Sequence, residues 1–195
     1  MRLLAVIPAY NEERILEKNA LKVYSYLKKQ KYEFTLLIAV NGSTDNSEDI
    51  ARGLSKTYSQ IKFISIKEKG RGLALKKAFS GIKADYYCYI DADLSPDLLG
   101  LGRILDSLKD QDICIASRYA EGAKIKRSVL RYFVSKCFNH MMGFLFRQDI
   151  KDYQCGLKGF RKSVLPLIME TEDIGWFFDT ELLVKASRDG FRIRE

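Results

Sequence analysis

The sequence predicts an α/β fold built on an open, mostly parallel sheet flanked by helices, and three observations lead there. Short apolar runs alternate with amphipathic segments over about 115 residues, as successive βαβ units do. The runs are continuous Val/Ile/Leu/Tyr stretches rather than apolar–polar alternations, as expected of strands covered by helices on both faces. Each run closes in polar or glycine-rich residues, and in such sheets ligands bind beyond the carboxyl ends of the strands.

The elements follow in order. Leu3 to Ile7 reads as the first strand and Asn11 to Lys29 as a helix with Ile15, Leu16, Val23 and Leu27 on its apolar face. Phe34 to Val40 is the second strand, with a helix from Ser47 to Tyr58; Ile61 to Ile66 is the third, with a helix from Leu73 to Ile82. Tyr86 to Ile90 is the fourth, followed by a helix from Leu98 to Leu108, and Ile113 to Ala116 is the fifth. Beyond Glu121 the pattern changes. Lys124 to Arg147 reads as one long amphipathic helix, basic on one side and rich in Phe and Met on the other. Asp152 to Phe160 carries turn and strand chemistry, Asp179 to Arg188 a last helix and Phe191 to Arg194 a last strand. The chain stops at Glu195 with no polar tail, which reads as a boundary within a longer protein.

With 195 residues, 47% of them hydrophobic, the chain can fill one core, so residues 1–195 read as a single domain. The net charge of +8 favours anionic partners: nucleic acid, anionic lipid or phosphorylated small molecules. Cys88, Cys114, Cys137 and Cys155 are scattered and His140 is the one histidine, which excludes a zinc constellation. A reduced, cytoplasmic setting follows from that cysteine usage. The first residues enter a strand directly, without a leader pattern. No run of about 18 apolar residues exists to span a bilayer, which leaves open lying on one.

Five polar clusters fall at the predicted strand ends: Tyr10-Asn11-Glu12, Asn41-Gly42-Ser43, Lys69-Gly70-Arg71-Gly72, Asp91-Ala92-Asp93 and Ser117-Arg118-Tyr119. Asp91 and Asp93, one residue apart after a buried strand, can turn toward one hard cation with help from a diphosphate and water. The plainer reading is a solvated turn or a helix cap. Lys69-Gly70-Arg71-Gly72 sets two cations and two glycines before a helix, where backbone N–H groups can wrap phosphate; the alternative is an ordinary flexible turn. Around Asn11 and at Ser43 or Asn46, helix capping accounts for part of the pattern, but not for Tyr10 at the ligand edge.

Pro8-Ala9-Tyr10-Asn11-Glu12, Asn41-Gly42-Ser43-Thr44-Asp45, Lys69-Gly70-Arg71-Gly72-Leu73-Ala74-Leu75 and Asp91-Ala92-Asp93-Leu94, in that order and spacing, resemble the family 2 glycosyltransferases of the GT-A fold. The downstream half resembles that family's polyprenyl-phosphate branch, the dolichol-phosphate mannose and glucose synthases. The similarity there rests on Ser117-Arg118-Tyr119, on Arg131, Ser135 and Asn139 at four-residue spacing, on Asp152, Gln154-Cys155-Gly156 and Lys158, and on Trp176-Phe177-Phe178-Asp179 with Glu181-Leu182-Leu183.

The resemblance implies transfer of mannose or glucose from a nucleotide-diphosphate sugar, of the GDP-mannose or UDP-glucose type, to a polyprenyl phosphate, with inversion. It implies a nucleotide-sugar half, residues 1–120, and an acceptor half, residues 121–195. Pro8, Ala9, Tyr10, Glu12, Asn41 and Ser43 would hold base and ribose, and Lys69, Gly70, Arg71 and Gly72 would lie along the nucleotide. Asp91 and Asp93, with Ala92 between them, would bind magnesium or manganese against the diphosphate. Arg118, Arg131 and Ser135 would address the acceptor phosphate or sugar, and Arg118 joins Asp91 and Asp93 as the catalytic set. The enzyme would sit peripherally on the cytoplasmic face of a membrane. Three departures stand out: Val40-Asn41-Gly42-Ser43 replaces the usual Asp-Asp-Gly-Ser, Ser95 stands where the branch often has Gln, and the chain ends before the segment where that branch supplies further basic residues to the phosphates.

The acceptor decides whether a general base is needed. A sugar hydroxyl must lose a proton. A phosphate monoester, with a second pKa of roughly 6, is largely dianionic at neutral pH and needs only cations to position it. Thr171-Glu172-Asp173 keeps the hydroxyl alternative open, with Asp173 as base; the competing reading makes it the loop entering the last helix. A nucleic-acid-binding module is a further alternative, disfavoured because the basic residues form no stripe and no known motif. In Lys124–Arg147, Phe133, Phe138 and Met142 read as core or as the apolar side of an interfacial helix, and His140 as a packed or interface residue.

Overall fold

A computed structural model describes residues 1–30, 32–95, 98–120 and 129–195, without the side chains of Val129 and Arg131. The predicted helical segment at Lys124, Lys126 and Arg127, and the side chain of Arg131, lie outside the described residues.

Seven strands are described: β1 (Arg2–Ala9), β2 (Glu33–Asn41), β3 (Ile61–Ile66), β4 (Tyr86–Ile90), β5 (Ile113–Ile115), β6 (Leu157–Arg161) and β7 (Ile193–Arg194). They form one sheet in the order β3-β2-β1-β4-β6-β5-β7. β1 runs parallel to β2 and β4, β2 to β3, and β5 to β7, while β6 is antiparallel to both β4 and β5. The sheet is therefore mostly parallel, as expected. The placement of β6 is new: some forty residues after β5 the chain returns to wedge Leu157–Arg161 between β4 and β5, so β5 does not neighbour β4.

The helices are α1 (Leu16–Lys28), α2 (Ser47–Thr57), α3 (Arg71–Gly81), α4 (Leu98–Ser107), α5 (Val129–Phe146), α6 (Leu165–Glu170) and α7 (Phe178–Arg188). They cover both faces of the sheet. Leu4 and Val6 of β1 enter one apolar cluster with α3, α6 and α7. Leu3, Ala5 and Ile7 enter the other with α1, α2 and α4. One strand feeding two cores at period two explains why the strands read as unbroken apolar runs.

Two elements differ most from the sequence reading. α1 begins at Leu16 rather than Asn11, and Asn11 is not its N-cap. Asn11 sits in the left-handed region (φ 54°), and its side-chain carbonyl accepts from the Thr44 amide at 2.8 Å, so residues 11–15 are committed to the neighbouring loop instead of a helix. α6, which the sequence reading lacked, is a six-residue helix with Pro166 in its first turn, too short for a clear helical period.

Candidate active site

Four loops meet at the carboxyl edge of the parallel strands, tied by side-chain bonds to one another. Asn41, buried at the end of β2, donates from Nδ2 to the Ala9 carbonyl (3.0 Å) and accepts at Oδ1 from the Gly70 amide (3.1 Å). Its amide thus fastens the ends of β1 and β2 to the turn that opens α3, with no charge, at the position where the resemblance leads one to expect a carboxylate. Gly42 has φ 61°, and a Cβ there would lie 3.0 Å from the Lys69 backbone nitrogen, so the turn needs glycine. Ser43 accepts from the Asn11 amide, and Asp45 accepts from Glu13 (3.0 Å) and Ser47 (3.0 Å). Tyr10 is exposed, with the Lys69 ammonium 4.0 Å from its ring centroid. Pro8 is half-buried and Ala9 buried beneath it. The structure therefore brings Pro8, Ala9, Tyr10, Glu12, Asn41, Ser43 and Lys69 to one ledge.

Beside that ledge β4 ends in Asp91-Ala92-Asp93. The Asp91 amide donates to the Gly156 carbonyl (2.8 Å), and the Ala92 carbonyl accepts from Asn19 Nδ2 of α1 (2.8 Å). The Asp93 carboxylate is exposed, taking the Ser95 amide at 2.9 Å and the Ser95 hydroxyl at 2.5 Å. Ser95 thus stabilises the turn that presents Asp93. Negative charge accumulates here. Burial pushes the Asp91 pKa up and Asp179 and Asp93 push it further, against the pull of Arg71. Burial, Asp93, Asp91 and Asp45 likewise raise Glu12.

A divalent cation fits this donor set, because it would relieve that mutual repulsion at an open edge. Gly156 supports the fit: a Cβ there would overlap the Asp91 carboxylate, so glycine leaves the space that carboxylate occupies. Among the described residues no group of three or more His, Cys, Asp or Glu side chains forms a metal cage. Further oxygens would have to come from a diphosphate and water.

Behind the edge lies a buried network that the sequence reading did not assign. Arg71 donates from Nη2 to Asp91 Oδ1 (2.6 Å) and from Nη1 to Asp179 Oδ2 (2.7 Å). Its guanidinium lies between the rings of Tyr89 (5.0 Å) and Trp176 (5.3 Å). Lys158, fully buried in β6, donates to Asp179 Oδ1 (3.2 Å), the Tyr89 hydroxyl (2.8 Å) and the Cys155 carbonyl (2.8 Å), and the Tyr89 hydroxyl also donates to Asp179. Burial works against the charge of Asp179, yet Arg71 and Lys158 hold its pKa below the ordinary range. The sequence did carry a signal: a lysine inside the apolar run Leu157–Phe160, and an aspartate following Phe177-Phe178.

Arg71 thus points inward to carboxylates rather than outward along a nucleotide. The amides of α3's first turn are occupied too: Gly72 donates to the Gly175 carbonyl (3.3 Å) and Leu73 to the Ile174 carbonyl (3.1 Å). Gly70 and Gly72 are glycines because loop 173–175 lies on them; a Cβ at Gly70 would sit 2.7 Å from the Ile174 carbonyl oxygen. This corrects the reading of that turn as an open phosphate wrap. Asp173 Oδ1 accepts from the Gly175 (2.7 Å) and Phe178 (2.9 Å) amides, so its carboxylate anchors the entry to α7. That geometry favours the loop reading of Thr171-Glu172-Asp173 over a general base.

After the end of β5, Arg118 grips the buried carboxylate of Asp152 through its backbone amide (2.9 Å), Nε (2.7 Å) and Nη2. Ser135 of α5 shares a hydrogen bond with the Tyr119 hydroxyl (2.6 Å). Arg118, Tyr119, Lys136, Asn139, His140 and Lys151 line a cavity of about 730 Å³. His140 is exposed on α5, its Nδ1 3.2 Å from the Lys136 carbonyl. Met142 is buried and Phe138 and Phe146 pack on the core, but Phe133 is 65% and Phe144 85% exposed, with Leu130, Val134, Met141 and Leu145 beside them. The core reading therefore holds for Met142 and Phe138 and fails for Phe133. Among the described residues no helix is long and apolar enough to cross a membrane.

Solved structures share this architecture. Glucosyl-3-phosphoglycerate synthase from Mycobacterium tuberculosis, in complex with Mn2+, uridine-diphosphate and phosphoglyceric acid, superposes with a TM-score of 0.76 at 19% identity, over 98% of this chain and 66% of that one. The mannosyltransferase PcManGT from Pyrobaculum calidifontis, in complex with GDP-Man and Mn2+, gives 0.65 at 18% identity, over 98% and 53%. The fold is the GT-A fold of glycosyltransferases. The chain belongs to Glycosyl transferase family 2, whose model matches residues 4–167.

Among its relatives, glycosyltransferase AglD of Haloferax volcanii is 32% identical, over 97% of this chain and 31% of that protein. The dolichyl-phosphate beta-glucosyltransferase of Saccharomyces cerevisiae is 30% identical over 99% and 65%. The dolichol-phosphate mannosyltransferase of Pyrococcus furiosus is 30% identical over 95% and 53%. The chain thus spans between 31% and 65% of the length of these relatives.

Proposed function

We propose that this chain is a catalytic domain that transfers mannose or glucose from a nucleotide-diphosphate sugar to a polyprenyl phosphate at a membrane surface. The observation that carries the reading is the position of Asp91 and Asp93: a carboxylate pair at the carboxyl end of a central strand, adjoining a ledge of Tyr10, Glu12, Ser43 and Lys69. The names of the yeast and Pyrococcus relatives support the acceptor class.

In this reading Tyr10 offers its ring face to the base, and Lys69, exposed beside it, is drawn to the phosphates. Asp91 and Asp93 would hold magnesium or manganese, which when bound would supply stabilisation of the charge on the departing diphosphate. Asp173 is engaged with backbone amides, and a phosphate acceptor needs no base, only cations to hold it. Lys136 and Lys151, lining the cavity beside Arg118, supply such charge. Arg118, already bonded to Asp152, shapes that cavity and directs its remaining donors there. The exposed Phe133, Met141, Phe144 and Leu145 of α5 lie in the acyl–headgroup boundary, bringing the cavity to the lipid phosphate.

Calorimetry with GDP, UDP, GDP-mannose and UDP-glucose, with and without manganese, tests the donor side. One nucleotide series should bind in a manganese-dependent way, and Asp93→Ala should abolish that dependence. Absence of binding by every nucleotide, or manganese-dependent binding unchanged in Asp93→Ala, would overturn the reading. Transfer of radiolabelled sugar to polyprenyl phosphate in vesicles, against a free sugar acceptor, tests the acceptor side.

A further inference from the structure

We infer that Asp179 is a positioning residue for the metal-binding carboxylate, holding Asp91 through Arg71 on one side and through Lys158 and the Cys155–Gly156 backbone on the other. The inference rests on the reading that Asp91 and Asp93 hold a divalent cation, and adds groups outside that motif which set how firmly they do so.

Two rails run from Asp179 to Asp91. The first is the Arg71 guanidinium, which bonds Asp179 Oδ2 at 2.7 Å and Asp91 Oδ1 at 2.6 Å. The second starts at Asp179 Oδ1, passes through Lys158 to the Cys155 carbonyl (2.8 Å), and reaches Asp91 where its amide meets the adjoining Gly156 carbonyl (2.8 Å). Asp179 and Lys158 are fully buried and Arg71 nearly so, so the network is dry and its geometry is set by packing. Tyr89 closes it from the strand that carries Asp91.

The charge balance gives the sign of the effect. Arg71 and Lys158 face Asp91 and Asp179, two cations against two carboxylates. Asp179 occupies Lys158 and half of Arg71, which leaves Asp91 with unspent negative charge toward the open edge. With Asp179 neutral, both cations would act on Asp91 alone, satisfying it from inside and weakening its hold on an external cation. Arg71 would at the same time lose one of its two anchors, and Asp91 would lose a fixed direction.

The experiment uses the whole 195-residue chain, with manganese plus GDP or UDP as the probe and free Mn2+ followed by electron paramagnetic resonance. Asp179→Asn should weaken manganese affinity about tenfold or more, as loss of partners behind metal ligands does. Because Asp179→Asn strands Lys158, the double substitution Asp179→Asn/Lys158→Met is made beside it; it removes one charge of each sign and leaves Arg71 paired with Asp91 alone. It should fold and bind manganese more weakly than wild type, because Arg71 then acts on Asp91 alone and both links to Asp179 are gone, but less weakly than the single variant, whose Lys158 charge is unopposed. Leu54→Ala, a cut in the other apolar cluster on α2, should lower Tm without moving manganese affinity, separating positioning from general destabilisation. A folded double variant with wild-type manganese affinity overturns the inference. Asp93→Ala is the control for the reading beneath it: loss of manganese there, with full affinity in the double variant, leaves the metal site standing and sinks only the role of Asp179.

Discussion

Gly156 shows how much at this site depends on a single atom. Its missing Cβ is the space taken by the Asp91 carboxylate, while its carbonyl receives the Asp91 amide. Gly156→Ala should push that carboxylate off Arg71 and cut manganese-dependent nucleotide binding about tenfold. The overpacking should cost about 1–3 kcal/mol, read as a lower urea midpoint; wild-type binding would show the contact to be dispensable. Asp112 governs a different property. Burial alone would raise its pKa, but hydrogen bonds from the Arg192 amide and Nε, with Arg161 nearby, hold it below the carboxylate range. A depressed folded pKa means that its contribution is present above the unfolded value of about 3.9 and is lost as pH falls through the folded one. Asp112→Asn should therefore cost about 1 kcal/mol at neutral pH and converge with wild type in acid, as thermal melts across pH will show. The ledge residues were legible because strand-end chemistry is local in the sequence. Asp179 and Lys158 were visible as charges in apolar surroundings but not as one network, because their partners lie 21 to 108 residues away.

At the scale of elements, the sequence reading was good where period and burial agree and poor where a partner decides. α2, α4, α7 and strands β2 to β4 fall within a residue or two of expectation, since their apolar positions face a core on the same element. α1 starts late because Asn11, Glu12 and Glu13 spend their amides on Ser43 and Asp45 of the next loop and on Ser47 at the start of α2. Loop 173–175 over α3 could not be read either, since glycines that admit a carbonyl look like glycines that admit a phosphate. α5 is the element whose period fits two surroundings. Its Met142 is buried, while Phe133 and Phe144 are exposed on an apolar face. Phe133→Ser/Phe144→Ser should leave folding stability within about 0.5 kcal/mol, as exposed substitutions do. The same pair should weaken binding to phosphatidylcholine–phosphatidylglycerol vesicles by about tenfold or more per ring, in a flotation or cosedimentation assay. Unchanged vesicle binding would remove α5 from the proposed interface. Met142→Ala should do the reverse, costing about 2–5 kcal/mol of stability with little effect on vesicles once folded.

Across the whole molecule, the proposed halves, 1–120 and 121–195, are not separate bodies, because β6 from the second lies between β4 and β5 from the first. Alternating strands and helices foretold the sheet. They could not foretell this insertion, since hydrogen-bond partners of an antiparallel strand returning after some forty residues leave no local trace. Its consequence is mechanical as well as topological: Asp91 is held by β4 and α3 from the first half and by Gly156, Lys158 and Asp179 from the second. Phe160 of β6 makes the same join in the core, with ring centroids 6.1 Å from Phe79 of α3 and 6.0 Å from Tyr89 of β4. If the chain is one cooperative unit, removing that ring must destabilise everything at once. Phe160→Ala should cost about 3–5 kcal/mol, and both far-UV and tyrosine signals should melt at one lowered midpoint. Trp176, the chain's one tryptophan, reports the second half separately and should share that midpoint. A Trp176 transition that splits from the far-UV transition in Phe160→Ala would show two folding units, and the shared hold on Asp91 would then be a docking contact between them.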